Sequence, residues 1–361
     1  MFIMKTVLPL DAASKTECEQ FMKITINEIA KAANVAKSTV SKVINNSPTI
    51  SEATRNKVLQ IMKDMNFTPD SAATQLAKRA SLMVGLVIDI DRKDDFLNPF
   101  FYSIIGGVES VMGLHQYDLA ISNIRSQGSS TRMDLLRRFV YNNRMDGLIL
   151  HTLTADQFLI DELERLGFPY AVIGRPVAEG VIAWTDGDNE IGGEIAARHL
   201  LEQGYSRIGF IGGDFGEPLA QSRLRGYKRV IPGGDAPHTY CLPGPSDETG
   251  GYSMMQALLA LPEPPDAAVC INNLAAFGAL KALHEADIAV PRDFGLVTFD
   301  DYPIAPYTTP ALTCLDIDTF EIGVRAANLL LEKMGDPAKP IPPQLLAPKL
   351  IVRGSSKRSD L

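Results

Sequence analysis

Asp300 and Asp301 are adjacent carboxylates, a pair that acid–base or metal chemistry can use, but no partner for them is identifiable in the sequence. The five histidines are dispersed, and His199 falls inside a helical pattern that favours a packing or surface role. Cys18, Cys241, Cys270 and Cys314 lie far apart and form no CxxC pair. That spacing indicates neither a zinc knuckle nor a disulfide scaffold and fits a reducing cytoplasm. Gly209, Gly212, Gly213 and Gly216 lack the dinucleotide-binding spacing, and a sharp strand-to-helix turn accounts for them. The P-loop, the HExxH zinc motif and the GxSxG nucleophile elbow are absent. The chain is therefore expected to be no enzyme and to need no cofactor or metal.

Charge gives a different lead. The net charge is −8, yet residues 1–80 carry eleven Lys/Arg against seven Asp/Glu, and the remainder carries 24 against 36. A basic segment joined to an acidic body suggests one domain that meets a polyanion and another that does not. At 361 residues with 45% apolar and 22% charged residues, the composition suits two or three globular domains. Apolar runs such as Val84–Ile88 fall far short of the ~20 residues of a membrane span. Lys5 and Asp11 interrupt the opening apolar patch, so no secretory signal is read there.

The elements that must position any site change character along the chain. Residues 1–22 show no period. Thr25-Ile-Asn-Glu28 is a capping box that opens a helix with Ile29, Ala30 and Ala33 at helical spacing. Asn34 can adopt the left-handed conformation of a tight turn. A second short helix spans Lys37 to Asn45, with Val40, Val43 and Ile44 inward, and Asn45-Asn46-Ser47-Pro48 breaks it. Ser51 caps a third, in which Val58, Ile61, Met62 and Met65 form a stripe. Asp70 can cap a fourth, Ser71 to Lys78, which has no core of its own. Three short helices in a basic segment suggest a helix-turn-helix, although a small helical cap on the body fits the composition equally well.

From Leu82 onward, short β-branched runs alternate with amphipathic helical segments. Strands are expected near Val84–Ile90, Tyr117–Ser122, Gly147–Leu150, Tyr170–Ile173, Arg207–Ile211, Ala267–Ile271 and Phe294–Phe299. Helices are expected near Phe100–Leu114, Asp134–Tyr141, Glu190–Glu202, Leu219–Val230, Gly250–Ala260 and Ala275–Glu285. This alternation defines an α/β class with doubly wound parallel sheets, and the length favours two lobes. Ligands in such sheets sit beyond the carboxyl ends of the strands. The informative positions are therefore Asn98–Phe101, Gly174-Arg175, Gly212–Phe215, Asn272-Asn273 and Asp300-Asp301.

The residues then decide between the two readings of the head. Thr25–Asn45 (TINEIAKAANVAKSTVSKVIN), Ser51–Arg55 (SEATR) and Phe67–Leu76 (FTPDSAATQL) closely resemble the head of the lactose/galactose repressor (LacI/GalR) family. The likeness continues through Asn98-Pro-Phe-Phe101, Arg144–Ile149, Val172–Pro176, Asp188-Asn189, Gly192, His199-Leu200, Gly204-Tyr205 and Arg207–Gly213. It ends with Arg223, Gly226-Tyr227, Asn272 and Phe299-Asp-Asp301, covering roughly residues 23–353.

This resemblance implies a helix-turn-helix head with a hinge helix, followed by a two-lobed body like a periplasmic binding protein. Its domains would be a non-native or disordered extension at 1–22, a head at 23–69 and a hinge and linker at 70–81. The body would span 82–353, with a tail at 354–361. Lobe one would comprise 82–186 and 319–338, and lobe two 187–318 and 340–353. Translation is expected to begin at Met22, which an intact mass would check.

On the second helix, Lys37, Ser38 and Lys42 would read bases in the major groove, since lysine can donate to guanine O6 and N7 and serine serves either base type. Thr25, Asn45 and Arg55 would contact phosphates, which position without specifying. Leu76 of the hinge helix would wedge into the minor groove, with Ala73 packed on the twofold mate. The resemblance implies a sugar effector held by Arg223, Asn272 and Asp300, with Phe101, Arg175 and Trp184 from the first lobe. Two departures weaken DNA affinity. Ala36 stands where the family has a Ser or Thr cap, forfeiting about 1 kcal/mol, and Asp70 replaces an Asn. Asn273 replaces an Asp at a helix start, where Asn caps equally well.

The sequence thus reads as a cytoplasmic, sugar-responsive repressor that binds palindromic double-stranded operator DNA as a homodimer. The tail holds one leucine and no heptad, so no tetramer is expected. The dimer contacts would come from the lobes, mostly helices near Phe100–Leu114 and Met133–Tyr141. A cytoplasmic sugar-binding protein without regulatory DNA binding is the alternative.

Overall fold

The computed structural model describes residues 24–44, 47–67, 80–88, 99–124, 129–231 and 240–358. The first 22 residues, Asn45, Asp70, the expected hinge helix with Ala73 and Leu76, and the last three residues lie outside them. Residues Met1–Ala80 and Ser81–Leu361 form two compact units.

In the first unit, α1 spans Ile26–Ala33, α2 Lys37–Ile44 and α3 Glu52–Asp64. The Glu28 carboxylate accepts from the Thr25 N–H at 2.6 Å and from its hydroxyl at 2.9 Å, bonds that hold its pKa below the ordinary carboxylate value. Asn34 ends α1 at φ 52°, the left-handed conformation that the turn into α2 requires. Ser51 Oγ accepts from Thr54 N–H and starts α3. Ile29, Ala33, Val40, Val43, Val58 and Met62 close a small core, with Ile44, Ile61 and Met65 partly buried around it.

The second unit contains two six-stranded sheets. In chain order the elements are β1 Met83–Ile88, α4 Pro99–Leu114, β2 Asp118–Asn123, α5 Ser129–Leu135, β3 Gly147–His151, α6 Gln157–Leu166, β4 Tyr170–Ile173 and β5 Trp184–Gly187. There follow α7 Asn189–Glu202, β6 Ile208–Ile211, α8 Pro218–Val230, β7 Cys241–Leu242, α9 Glu248–Leu259, β8 Ala267–Cys270, α10 Asn273–Glu285, β9 Gly295–Phe299 and β10 Thr313–Asp316. Last come α11 Thr319–Gly335, β11 Gln344–Leu346 and β12 Lys349–Ile351. The first sheet has the order β11-β5-β4-β3-β1-β2 and is wholly parallel. The second has the order β12-β10-β9-β8-β6-β7, parallel except for β12.

The chain passes from one sheet to the other after β5, after β10 and after β11. The last crossing corrects the expected boundary. Residues 340–353 were assigned whole to lobe two, but Gln344, Leu345 and Leu346 pair with Thr185, Asp186 and Gly187 in the first sheet. A three-residue strand has too few positions to reveal a period, and its partner is more than 150 residues away. The strands β5, β7, β10 and β11 and the helices α6 and α11 were not among the expected elements. The strands are only two to four residues long, and all but β7 mix polar with apolar positions. Helix α6 did carry a readable signal, an Asp156 cap and Gly167 at φ 60° after its last turn.

Helices cover both faces of each sheet. Helices α4 and α11 cross at Gly107 and Gly323, where a Cβ on either would strike the other helix's backbone carbonyl. Helices α7 and α8 cross the same way at Gly193 and Gly226. A Cβ on Gly193 would meet the carbonyl of Arg223, so this approach fixes the backbone from which that arginine projects.

Candidate functional site

On the head, Lys37, Ser38 and Lys42 are exposed on α2, opposite the buried Val40 and Val43. No ion pair engages the two lysines among the described residues. Thr25 is exposed and its hydroxyl donates to Glu28. Arg55 is half-buried, and its guanidinium donates to the Ser47 carbonyl at 2.6 Å, fastening the segment between α2 and α3. Ala36 precedes α2 with a side chain that cannot cap, while its carbonyl accepts from Thr39 and Val40. Asn45, Ala73 and Leu76 lie outside the described residues.

In lobe two, Arg223 projects from α8 and is enclosed. Its Nε donates to Asn189 Oδ1 at 2.8 Å and its Nη1 donates to the Ile271 carbonyl. The guanidinium stacks 4.0 Å above the Phe299 ring, and Nη2 stands 3.7 Å from Asp300 Oδ1. Asp300 holds φ 65°, a left-handed backbone that turns its carboxylate back toward Arg223. Burial raises the Asp300 pKa and lowers that of Arg223; in each case the neighbouring opposite charge works against the shift. Asp300 Oδ1 has no hydrogen-bond partner among the described residues.

Asn272 is the N-cap of α10: Oδ1 accepts from Ala275 N–H at 2.9 Å and Nδ2 donates to the Ser246 carbonyl at 2.9 Å. The capping role expected of Asn273 therefore belongs to its neighbour. Asn273 is the first residue inside the helix, fully buried, and its amide donates to the carbonyls of Phe299 at 2.7 Å and Asp300. The cap must precede the first helical turn, and α10 begins one residue earlier than the motif suggested.

Lobe one divides its contributions. Phe101, in the first turn of α4, meets the His151 ring edge-on at 5.8 Å between centroids. His151 is the last residue of β3, and burial lowers its pKa to about 4. Arg175 is exposed, with its guanidinium 5.8 Å from the Trp184 ring centre and its N–H donating to Asp186. Trp184 serves two roles, packing in the lobe-one core and walling a pocket of about 270 Å³ at the crossover. Arg175, Asp186, Asn189, Ser222 and Leu345 are among its other lining residues. Asp186 is half-buried, its desolvation raises its pKa, and it accepts from Gly187 N–H at 2.7 Å and from Asn189 Nδ2 at 3.2 Å. A continuous chain, Asp186–Asn189–Arg223–Asp300, therefore runs from lobe one into lobe two.

The structure thus joins Arg223 with Asp300, sets Arg175 with Trp184 at the crossover, and leaves Phe101 with His151. Sequence reasoning did not select His151, Asp186, Asn189 or Phe299 as site residues. His151 closes a β-run, so the strand-end rule was a sufficient signal for it. Asp186 carried none, because its strand is four residues long. Among the described residues, no group of three or more His, Cys, Asp and Glu could hold a metal, and no helix is long and apolar enough to cross a membrane.

Fold and site together define a two-lobed ligand-binding body carrying a helix-turn-helix head. Residues 25–70 match the family of bacterial regulatory proteins described as the lacI family, and residues 197–356 match a periplasmic binding protein-like domain. The chain is 30% identical over 340 residues to the probable HTH-type transcriptional repressor ExuR of Bacillus subtilis (strain 168), covering 93% of this chain and 99% of that protein. It is 29% identical over 343 residues to the ribose operon repressor of Escherichia coli (strain K12), covering 92% and 99%. The solved transcriptional regulator CelR–cellobiose complex superposes with a TM-score of 0.70 at 27% identity, covering 92% of this chain and 99% of that one. The chain belongs to the lacI family of bacterial regulatory proteins.

Proposed function

We propose that this protein is a repressor that binds operator DNA in a sequence-specific way, and whose affinity for it is set by a sugar bound between the lobes. One observation carries the reading: a solvent-facing Lys37-Ser38…Lys42 edge on the second helix of the head, in a chain whose body is a two-lobed binding fold. Lys37, Ser38 and Lys42 read bases, while Thr25, Asn45 and Arg55 hold phosphates. Ala73 and Leu76 act in the minor groove. Arg223, Asn272, Asp300 and Phe101 form the effector cleft, with Arg175 and Trp184 at its crossover edge.

Two relatives named as repressors, and a transcriptional regulator solved with cellobiose, support the reading. The protein works in the cytoplasm, where operator DNA is. It works as a dimer, because two half-sites need twofold symmetry. Sedimentation at twice the 39.3 kDa chain mass is expected, and a stable species of four chains would contradict it. The domain limits are a head to residue 69, a hinge to 81 and a body that runs past the expected end at 353, because Ser355 and Ser356 are buried and bond Leu296, Thr313 and His199.

The test is retardation of a palindromic fragment from the gene's own upstream region, with and without sugars. Retardation that a sugar changes is expected. A protein that binds sugar but retards no fragment would be a binding protein and not a regulator.

A further inference from the structure

We propose that Asp146 is a positioning residue for operator binding: it clamps the chain where the body begins and so sets the span across which each head of the dimer reaches its half-site. The inference rests on the regulator reading above. The first compact unit ends at Ala80 and the second begins at Ser81. Asp146, half-buried one residue before β3, takes hold of that point. Its Oδ1 accepts from the Ser81 N–H and its Oδ2 from the Leu82 N–H, both at 2.8 Å. Its own N–H donates to the Met83 carbonyl at 2.8 Å. From the other side, Asp118 at the start of β2 donates its N–H to the Leu82 carbonyl at 2.9 Å. The entry to β1 is thus gripped from the strands on both of its sides.

The backbone shows why a carboxylate stands here. Consecutive N–H groups of an extended strand point to opposite sides, so one side chain cannot meet both. Leu82 stands at φ 52°, in the left-handed region that a leucine rarely enters. That turn brings the N–H groups of Ser81 and Leu82 onto one acceptor, the arrangement in which successive amides hold an anion. A carboxylate answers each N–H with a charge-assisted bond, whereas a side-chain amide has one acceptor oxygen for two donors. Among the described residues Asp146 makes no ion pair, so its charge is spent on this turn. Without the clamp Leu82 relaxes to extended backbone, and the span between head and body gains Ser81 and Leu82. Two heads joined through a dimer strengthen each other's binding most when the connecting span matches the half-site separation, and that gain falls when the span is longer or loosely held.

The full chain and its Asp146→Ala and Asp146→Asn variants would be compared by retardation of three probes. These are the palindromic fragment from the gene's own upstream region, the same fragment with one half-site scrambled, and the same fragment with two base pairs inserted at its centre. The parent should bind the palindrome at least about tenfold more tightly than the inserted fragment. In both variants the palindrome should weaken about tenfold or more, the scrambled fragment should bind as in the parent, and the preference over the inserted fragment should shrink. A general loss of folded protein would weaken all three probes together and overturns the positioning role. So does a dimeric variant that keeps the parent's preference, or one that loses it only because it sediments as a single chain. If the alanine variant fails to fold, the asparagine variant decides by the same criteria. Amide exchange on the parent checks the clamp without any variant: the Ser81 and Leu82 N–H groups should be protected, and rapid exchange there overturns it. A parent that retards the palindrome while the variants match it sinks this inference alone. A parent that retards no fragment sinks the regulator reading, and the positioning role with it.

Discussion

The two polar sites of this molecule are built on opposite principles. The head keeps its candidate reading groups outside the fold: Lys37, Ser38 and Lys42 are exposed, and the core beneath them is closed by Ile29, Val40, Val43 and Val58. The cleft holds its groups inside. Arg223 is bonded to Asn189 and Ile271, stacked on Phe299 and set against Asp300, so the residue that would meet the effector also holds lobe two together. A side chain whose bonding capacity is unspent can be changed at the expense of function alone. One spent on the protein carries function and stability together.

The largest expected effect tests the cleft half of this contrast. Arg223→Ala removes one partner of a buried charge pair and should lower stability by about 3–5 kcal/mol, besides abolishing the response to sugar. Thermal unfolding together with calorimetry checks both, and operator binding should survive because the head is a separate compact unit. Loss of sugar binding with unchanged stability would break the contrast.

Lys42→Ala should do the converse. Discrimination at one operator base should fall by about 1–3 kcal/mol with stability unchanged, measured by retardation of operators altered at single positions. An equal loss on specific and non-specific DNA would remove its base-reading role. Arg55 lies between the extremes, since it fastens the Ser47 carbonyl. Arg55→Ala should cost the head about 1 kcal/mol and weaken all DNA binding alike, with a flatter salt dependence.

The smallest effect is on pH. His151 has a folded pKa of about 4 against 6.5 when free, because burial opposes its charge. The unfolded chain therefore binds the extra proton first, and stability should fall as pH drops from about 6.5 toward 4. His199, also lowered by burial, adds to the slope. His151→Gln should flatten part of it in denaturant titrations across that window, and an unaltered slope would show that the ring is not buried neutral.

Much of this was legible in the residues. The capping box at Thr25–Glu28, the left-handed Asn34 and the Ser51 cap act over three or four positions, and each has a fixed local geometry. Long β-branched runs such as Val84–Ile88 announced the strands of the sheet centres, because burial on both faces demands continuous apolar residues.

The sequence by itself determined the class of those elements with a readable cap or apolar run, the helix-turn-helix and the exposed lysine edge, since all follow from near neighbours along the chain. Only the tertiary structure decided that Gln344–Leu346 joins the first sheet, that Asn272 rather than Asn273 caps α10, and that Arg223 is spent on Asn189 and Ile271. Likewise, the grouping of Arg175 with Trp184, apart from Phe101 and His151, exists only in three dimensions. Apart from the local Asn272 cap, such contacts join residues from nine to more than 150 positions apart, and no capping rule reaches that far. Their partners are chosen by packing between helices that cross at Gly193 and Gly226 and by where the chain passes from one sheet to the other.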